Sequence, residues 1–193
     1  MLYKFAKAVV YTIFKFLFRI KIIGKKNVPK EGPVIICSNH ISNYDPPVVG
    51  ITCPRDIHFM AKEELFEKKG IGFLLRNLQA FPVKRGMRDR NALRNGLGLL
   101  EDGGTLGLFP EGTRSKDGQL KKGLAGAGFF AMRSNATVIP CAIIGTYERF
   151  KPLKVIYGPP IEFETLKEDK PSAQEVTDEI MENIQSLIDE NKK

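Results

Sequence analysis

The segment Ser38-Asn39-His40-Ile41-Ser42-Asn43-Tyr44-Asp45-Pro46-Pro47 sets an imidazole and a carboxylate five positions apart. His40 is one of only two histidines in the chain. Fully extended, five residues span about 17 Å. Ser42 and Asn43 favour turns, and a turn there folds Asp45 back towards His40. A carboxylate on one ring nitrogen fixes the tautomer, orients the ring and stabilises the imidazolium. The other nitrogen is then able to take a proton from a hydroxyl, which makes general base catalysis the chemistry of this pair. A second reading stays open at this point: Asp before Pro-Pro also suits a helix N-cap with proline at the first helical position. For His40 the competing reading is a structural turn histidine. No second His or Cys sits at ligand spacing, so no metal site is expected.

The second rich segment is Phe109-Pro110-Glu111-Gly112-Thr113-Arg114-Ser115. Arg114 is suited to hold a phosphate through two parallel hydrogen bonds. Gly112 lets backbone N–H groups approach an anion. Glu111 is suited to accept from a hydroxyl or to position an arginine. An ordinary surface turn with an internal salt bridge is the competing reading. Lys121 and Lys122 add positive charge before a small-residue helix, where a helix N-terminus already favours anions; either suits a solvated lysine equally. G-x-S-x-G, G-x-x-x-x-G-K-[ST] and G-x-G-x-x-G are all missing, so neither a serine-nucleophile hydrolase nor a P-loop enzyme is suggested.

These segments must be positioned by something. Short apolar runs at 34–37, 57–61, 80–83, 105–109, 137–144 and 153–158 read as buried strands. Helical patterns lie between them: one starting at Pro46, one through Leu65–Leu78, one over Arg88–Leu100, and the run GLAGAGFFAM. The last helix, Ser172–Asp189, carries Val176, Ile180, Ile184 and Leu187 on one face. This alternation predicts an α/β fold, a mixed and partly parallel sheet flanked by helices in three layers. Ligands of open α/β sheets bind beyond the carboxyl ends of the strands. Four predicted strand ends run into His40, Lys62, Lys84-Arg85 and Glu111 to Arg114. Parallel strands would bring all of these to one rim.

The chain has 193 residues, 42% of them hydrophobic, with a net charge of +8. Its basic excess is uneven: Met1 to Lys30 holds eight Lys or Arg and no acid, while Ser172 to Lys193 holds six acids and two lysines. Such a bias suits an anionic membrane, phosphate esters, an acidic carrier protein or nucleic acid. Nucleic acid is ranked last, because the basic residues are not interleaved with aromatics beyond the N-terminal helix and no binding module appears. Residues 1–23 read as an amphipathic membrane-association helix. Wound at 100° per residue, Lys4, Lys7, Lys15, Arg19 and Lys21 gather opposite Leu2, Phe5, Val9, Ile13, Phe16 and Ile20. Its longest uncharged run, Ala8 to Phe14, is too short to span a bilayer. Packing on the protein's own core is the alternative for that face. Residues 24–193 form the remaining domain. Cys37, Cys53 and Cys141 form no CxxC pair and read as buried, inert thiols on a reducing side of the membrane.

Asn39-His40-x4-Asp45 together with Phe109-Pro110-Glu111-Gly112-Thr113-Arg114 resembles the glycerolipid acyltransferase family, its 1-acyl-glycerol-3-phosphate acyltransferases of bacterial type above all. Lys62-Glu63-Glu64-Leu65, Phe81-Pro82-Val83-Lys84-Arg85 and Val138-Ile139-Pro140 resemble further blocks of that family, in family order. The resemblance implies that His40, oriented by Asp45, deprotonates the sn-2 hydroxyl of a lysophosphatidic acid, which attacks an acyl thioester directly. It implies Asn39, Ser42, Lys62, Arg85, Glu111, Gly112, Thr113 and Arg114 as substrate-binding residues, with Arg85, Glu111 and Arg114 on the glycerol phosphate. No bound cofactor or metal is implied; acyl-CoA or acyl-acyl-carrier-protein is the donor substrate. The expected partners are lysophosphatidic acid, the donor and an anionic membrane surface, and the expected location is the cytoplasmic face of the cell membrane, monotopic or peripheral. Another glycerolipid acceptor, such as glycerol 3-phosphate or a lysophospholipid, and a non-catalytic membrane-binding protein are the competing functions.

Overall fold

The computed structural model of the chain describes residues 11–84, 89–115, 117–163 and 171–192. Seven strands form one sheet: β1 (Arg19–Ile23), β2 (Val34–Ser38), β3 (His58–Lys62), β4 (Phe81–Val83), β5 (Thr105–Leu108), β6 (Thr137–Gly145) and β7 (Pro152–Tyr157). Their order across the sheet is β1-β7-β6-β2-β5-β3-β4. Every neighbouring pair is parallel except β6 with β7. Among the described residues six α-helices follow the strands: α1 (Asp45–Thr52), α2 (Glu63–Phe66), α3 (Lys69–Asn77), α4 (Arg90–Glu101), α5 (Gly126–Arg133) and α6 (Ala173–Asn191).

The sequence of β2 explains why it is central. All five of its residues are buried. Side chains alternate between faces along a strand, so a strand covered on both sides is apolar throughout. Ile35 and Cys37 join the core under α5 and α6, and Val34 and Ile36 join the core under α1. α6 buries Val176, Ile180, Ile184 and Ile188 along one stripe. Its start is fixed by a capping box, in which Ser172 Oγ accepts from Glu175 N–H and the Glu175 carboxylate accepts from Ser172 N–H. The expected three layers are therefore present.

The N-terminal helix ends earlier than its periodicity suggested. Residues 11–17 are helical. Phe18 N–H closes the last turn on Phe14 C=O, and Arg19 then pairs with Pro152 as the first residue of β1. The stretch RIKII alternates cations with isoleucines, which is a strand period as well as a fragment of a helical one. Ile20 and Ile22 pack on one core and Ile23 on the other, a burial that a surface helix does not offer. Residues 19–23 thus belong to the sheet. Residues 1–10, the rest of the expected helix, lie outside the described residues. The single helix expected over Leu65–Leu78 is two, α2 and α3, with a bend at Glu67 and Lys68.

This topology decides where the chemistry lies. The carboxyl ends of β6, β2, β5, β3 and β4 share one rim, in that order. Because β7 runs against β6, the β6–β7 loop and the entry into β1 open on the same rim. His58, the other histidine, starts β3 and so sits at the opposite end of the sheet.

Candidate active site

At the rim the first residue past β2 is locked to β6. Asn39 donates its side-chain N–H to Ile143 C=O at 2.9 Å and accepts from Ile143 N–H at 2.7 Å. This pair of bonds continues the β2–β6 ladder by one residue. Asn39 is buried and its amide is used by the backbone, while the residue still lines a cavity at this rim.

His40 is held on all sides. Its N–H donates to Glu111 Oε1 at 2.7 Å, and its C=O accepts from Ser115 N–H at 2.7 Å. Its ring stacks on Phe109, with centroids 4.2 Å apart and planes 23° apart. Phe109 in turn stacks on Phe59. Nδ1 lies 2.7 Å from Asp45 Oδ2. Among the described residues Nε2 has no partner within the chain, and the side chain is 11% exposed. The ring thus presents one nitrogen to the rim and fixes the other.

Asp45 is fully buried and accepts four hydrogen bonds. Oδ2 takes the His40 ring N–H, Ile41 N–H at 2.6 Å and Ser42 N–H at 2.6 Å; Oδ1 takes the Tyr147 hydroxyl at 2.6 Å. The helix-cap reading fails. Tyr44 is the N-cap of α1 and makes no side-chain cap bond. Asp45 is the first helical residue, and Pro46 and Pro47 after it have no N–H to be capped. The carboxylate turns back over the preceding residues instead.

Glu111 ties the two rich segments together. Its Oε1 accepts from His40 N–H and its Oε2 from Lys121 N–H at 3.0 Å. Burial pushes its carboxyl above the usual range, and the two backbone N–H groups and the nearby cations pull it partly back. Each oxygen is engaged by a backbone N–H, so Glu111 braces the loop against the turn at His40. Gly112 likewise serves the turn. Its φ is 66°, its N–H donates to Phe109 C=O at 2.9 Å, and a Cβ there would stand 2.5 Å from Leu124 Cδ1. The Gly112 N–H is thus used within the turn itself.

The remaining predicted residues lie outward. Ser42 Oγ accepts from Tyr44 N–H at 3.2 Å and is partly exposed. Thr113 and Arg114 are exposed in the loop after β5, where Arg114 C=O accepts from Lys121 Nζ at 2.8 Å. Lys62 is exposed at the end of β3. Lys84 follows β4, with Nζ 3.7 Å from Glu63 Oε2. Arg85 lies outside the described residues. Strands are spaced by about 4.8 Å, so the ends of β3 and β4 lie roughly 10 and 14 Å from that of β2. Long cationic side chains cover such a gap around a small phosphate ester. Beside the dyad a cavity of about 400 Å³ opens between Ile41, Ser42, Ser115, the end of β6 and Ile188 of α6.

Tyr147 escaped the sequence reading. Its signal was the rule already in use, since it follows the carboxyl end of β6, whose trailing residues were not added to the four strand ends considered. Burial pushes the Cys37 thiol up to about 12 and raises Cys141 as well, so these are inert core thiols. Among the described residues no group of three His, Cys, Asp or Glu is gathered to hold a metal ion, and no helix is long and apolar enough to cross a membrane.

Comparisons with known proteins agree with this geometry. The sequence pattern of the acyltransferase family matches residues 19–144. The chain is 34% identical over 167 residues to a 1-acyl-sn-glycerol-3-phosphate acyltransferase of Bacillus subtilis, covering 83% of this chain and 82% of that protein. It is 29% identical to the protein of that name from Borreliella burgdorferi, covering 68% of this chain and 54% of the other. In fold it matches the crystal structure of the 1-acyl-sn-glycerophosphate acyltransferase of Thermotoga maritima with a TM-score of 0.80, at 24% identity, over 98% of this chain and 80% of that one. With the family pattern extending from β1 to the end of β6 and enclosing both the dyad and the cationic loop, the chain belongs to the acyltransferase family.

Proposed function

We propose that the chain transfers an acyl group from an acyl thioester to the sn-2 hydroxyl of 1-acyl-glycerol 3-phosphate, giving phosphatidic acid, with His40 as general base. The observation that carries this reading is the 2.7 Å contact between His40 Nδ1 and Asp45 Oδ2 on a rim shared with Lys62 and Arg114. Nε2 takes the hydroxyl proton as the oxygen attacks the thioester carbonyl. The tetrahedral adduct collapses, the C–S bond breaks, and the imidazolium returns the proton to the leaving thiolate. No covalent enzyme intermediate is needed, since a thioester already carries a good leaving group. Asp45 holds the tautomer and offsets the imidazolium charge. Arg114, Lys62 and Arg85 hold the acceptor's phosphate. The donor is acyl-CoA or acyl-acyl-carrier-protein, both anionic and suited to the chain's basic charge.

The acceptor is a lipid, and the chain meets it from an anionic bilayer surface on the cytoplasmic side. Support comes from the rim itself. Ile13 and Phe16 of the helical segment are 49% and 70% exposed, and Phe150 of the β6–β7 loop is 56% exposed. Phe16 meets Phe150 edge-on at 6.4 Å, and Arg149 stands 5.1 Å over the Phe150 ring. Exposed aromatics with a cation beside them suit the interface of an anionic leaflet. The test is a donor-by-acceptor matrix with the purified full chain and vesicles of neutral or anionic lipid. Lysophosphatidic acid should outrun glycerol 3-phosphate and lysophosphatidylcholine, faster on anionic vesicles. A preferred acceptor other than lysophosphatidic acid would overturn the substrate, and vesicle binding without acyl transfer would overturn the activity.

A further inference from the structure

We propose that Tyr147 is a positioning residue of the dyad, its hydroxyl fixing the Asp45 carboxylate that orients His40, and that Phe18 holds the Tyr147 ring so that the segment entering β1 takes part in setting that geometry. The inference rests on the general-base reading of His40. Its starting point is the division of labour between the two Asp45 oxygens. Three donors from the residue 40–42 turn crowd onto Oδ2, whereas among the described residues Oδ1 is held by Tyr147 alone, at 2.6 Å. The terminal torsion of an aspartate is broad and soft. A donor on Oδ1 from another part of the chain stops that rotation and keeps Oδ2 aimed at the ring.

The hydroxyl arrives from the β6–β7 loop, 102 positions from Asp45 in sequence. Gly145 turns the chain out of β6 with a φ of 124°, where a Cβ would stand 2.5 Å from Pro152 C=O. The ring is then clamped. Phe18, 6% exposed, meets it edge-on at 5.5 Å with planes at 90°, and Tyr44 lies at 5.5 Å on another side. Phe14 touches both Phe18 and Tyr44. The aromatic cluster thus runs from the helical segment at residues 11–17 to the carboxylate behind the base. Burial, and then the adjacent Asp45 charge, raise the Tyr147 hydroxyl far above the ordinary phenol range, so it stays a donor throughout any assay range. Among the described residues the other ionisable groups facing the dyad are Glu111, on the His40 backbone, and the buried thiol of Cys141.

A hydroxyl that donates to a carboxylate spreads the carboxylate's charge. Without it, more charge faces the imidazole, the imidazolium is held more tightly, and the base stays protonated to higher pH. Tyr147→Phe in the full chain, assayed on vesicles with lysophosphatidic acid and acyl-CoA, should lower kcat about 10-fold, short of the ~10²-fold that a misplaced reacting group costs. KM for the acceptor should stay within about twofold, since the ring is kept and no phosphate contact is lost. The acid limb of the kcat/KM profile should move up by roughly half a pH unit, and the low-field proton resonance of the His40 ring N–H should shift. Ser186→Ala removes a hydroxyl on the exposed side of α6 that donates to Glu182 C=O of its own helix, and should match wild type. If Tyr147→Phe has wild-type kcat, or loses kcat with the acid limb and the low-field proton unmoved, the proposal is overturned. His40→Ala separates the two readings. Retained turnover there sinks the general-base assignment itself, while an inactive His40→Ala beside a wild-type Tyr147→Phe sinks only the role of Tyr147.

Discussion

The two halves of the rim are built on opposite plans. Around β6, β2 and β5, Asp45, Glu111 and Asn39 are buried and have their polar atoms satisfied inside the chain. Around the loop after β5 and the ends of β3 and β4, Arg114 and Lys62 are exposed and have no side-chain partner among the described residues, and Lys84 has only a long contact with Glu63. The difference follows from what each half is proposed to do. A proton-transfer group must be held in its productive geometry before substrate arrives, and its supporting bonds must already be made. A cation waiting for a phosphate has no such partner to be buried with, and burying it alone would be costly. It therefore waits in water. The rigid half lies on central strands, and the adaptable half reaches out to the sheet's edge.

The sharpest way to break this contrast is to strike the rigid half. His40→Ala should lower kcat roughly 10³-fold, in the middle of the ~10²–10⁴ range for general base catalysis, and leave acceptor affinity almost unchanged. Steady-state kinetics with a separate binding measurement checks both. Asp45→Asn should cost about 10² in kcat, because a neutral amide cannot offset the imidazolium charge and must turn its NH2 either onto the three N–H groups or onto the Tyr147 hydroxyl. It should also lower Tm, since the charge-assisted bonds of the buried carboxylate become neutral ones. An Asp45→Asn enzyme with full turnover would mean that the ring is oriented by its stack on Phe109 alone.

Much of this division was legible before any coordinates. The alternation of apolar runs with helical patterns fixed the layered sheet. The rule that ligands gather beyond carboxyl strand ends then selected His40, Lys62, Lys84 and the residue 111–114 loop, without selecting His58. What the sequence hid was the use made of each polar group. Asn39, Glu111 and Gly112 sit inside the two rich motifs, yet they serve the backbone. A motif states which residues are needed, but it does not say whether a side chain faces the ligand or braces its neighbour. That depends on partners far away in sequence, such as Ile143 for Asn39 and Lys121 for Glu111. Tyr147 was within reach of the strand-end rule, but its bond to Asp45, 102 positions away, was not. β1 was hidden because five residues of RIKII satisfy a helical and a strand period together, and only its pairing with β7 decides between them.

The open half should respond in a different currency. Arg114→Ala should raise acceptor KM about 10-fold, the scale of one charge-assisted hydrogen bond, with kcat changed by no more than about threefold. The effect should shrink as salt is added, because an exposed cation is screened. Arg114→Lys should recover only part of the loss, since an ammonium cannot form the two parallel bonds of a guanidinium. A large fall in kcat with KM unmoved would place Arg114 with the rigid half and erase the contrast.

Glu111→Gln gives the smallest effect and tests the join between the halves, because Glu111 fixes the His40 N–H and the start of the cationic loop at once. The amide keeps one acceptor oxygen and turns an N–H towards the second backbone donor. Turnover should fall only a few-fold, and stability by about 1 kcal/mol, the net worth of one ordinary hydrogen bond. The pH dependence carries the information. Burial is the largest influence on this carboxyl and raises it above its ordinary value of 4.5. A folded-state value above the unfolded one means that the group's contribution to stability is complete below the unfolded value and is lost as pH rises through the folded one. The Gln variant has no such loss. The Tm gap between wild type and variant should therefore be widest near about pH 4 and narrow as pH rises through the interval above 4.5. The other carboxyls titrate alike in both proteins and cancel. A gap that widened with pH would show that the ionised form is the favoured one in the fold, and that the two backbone N–H groups outweigh the burial of the charge they hold.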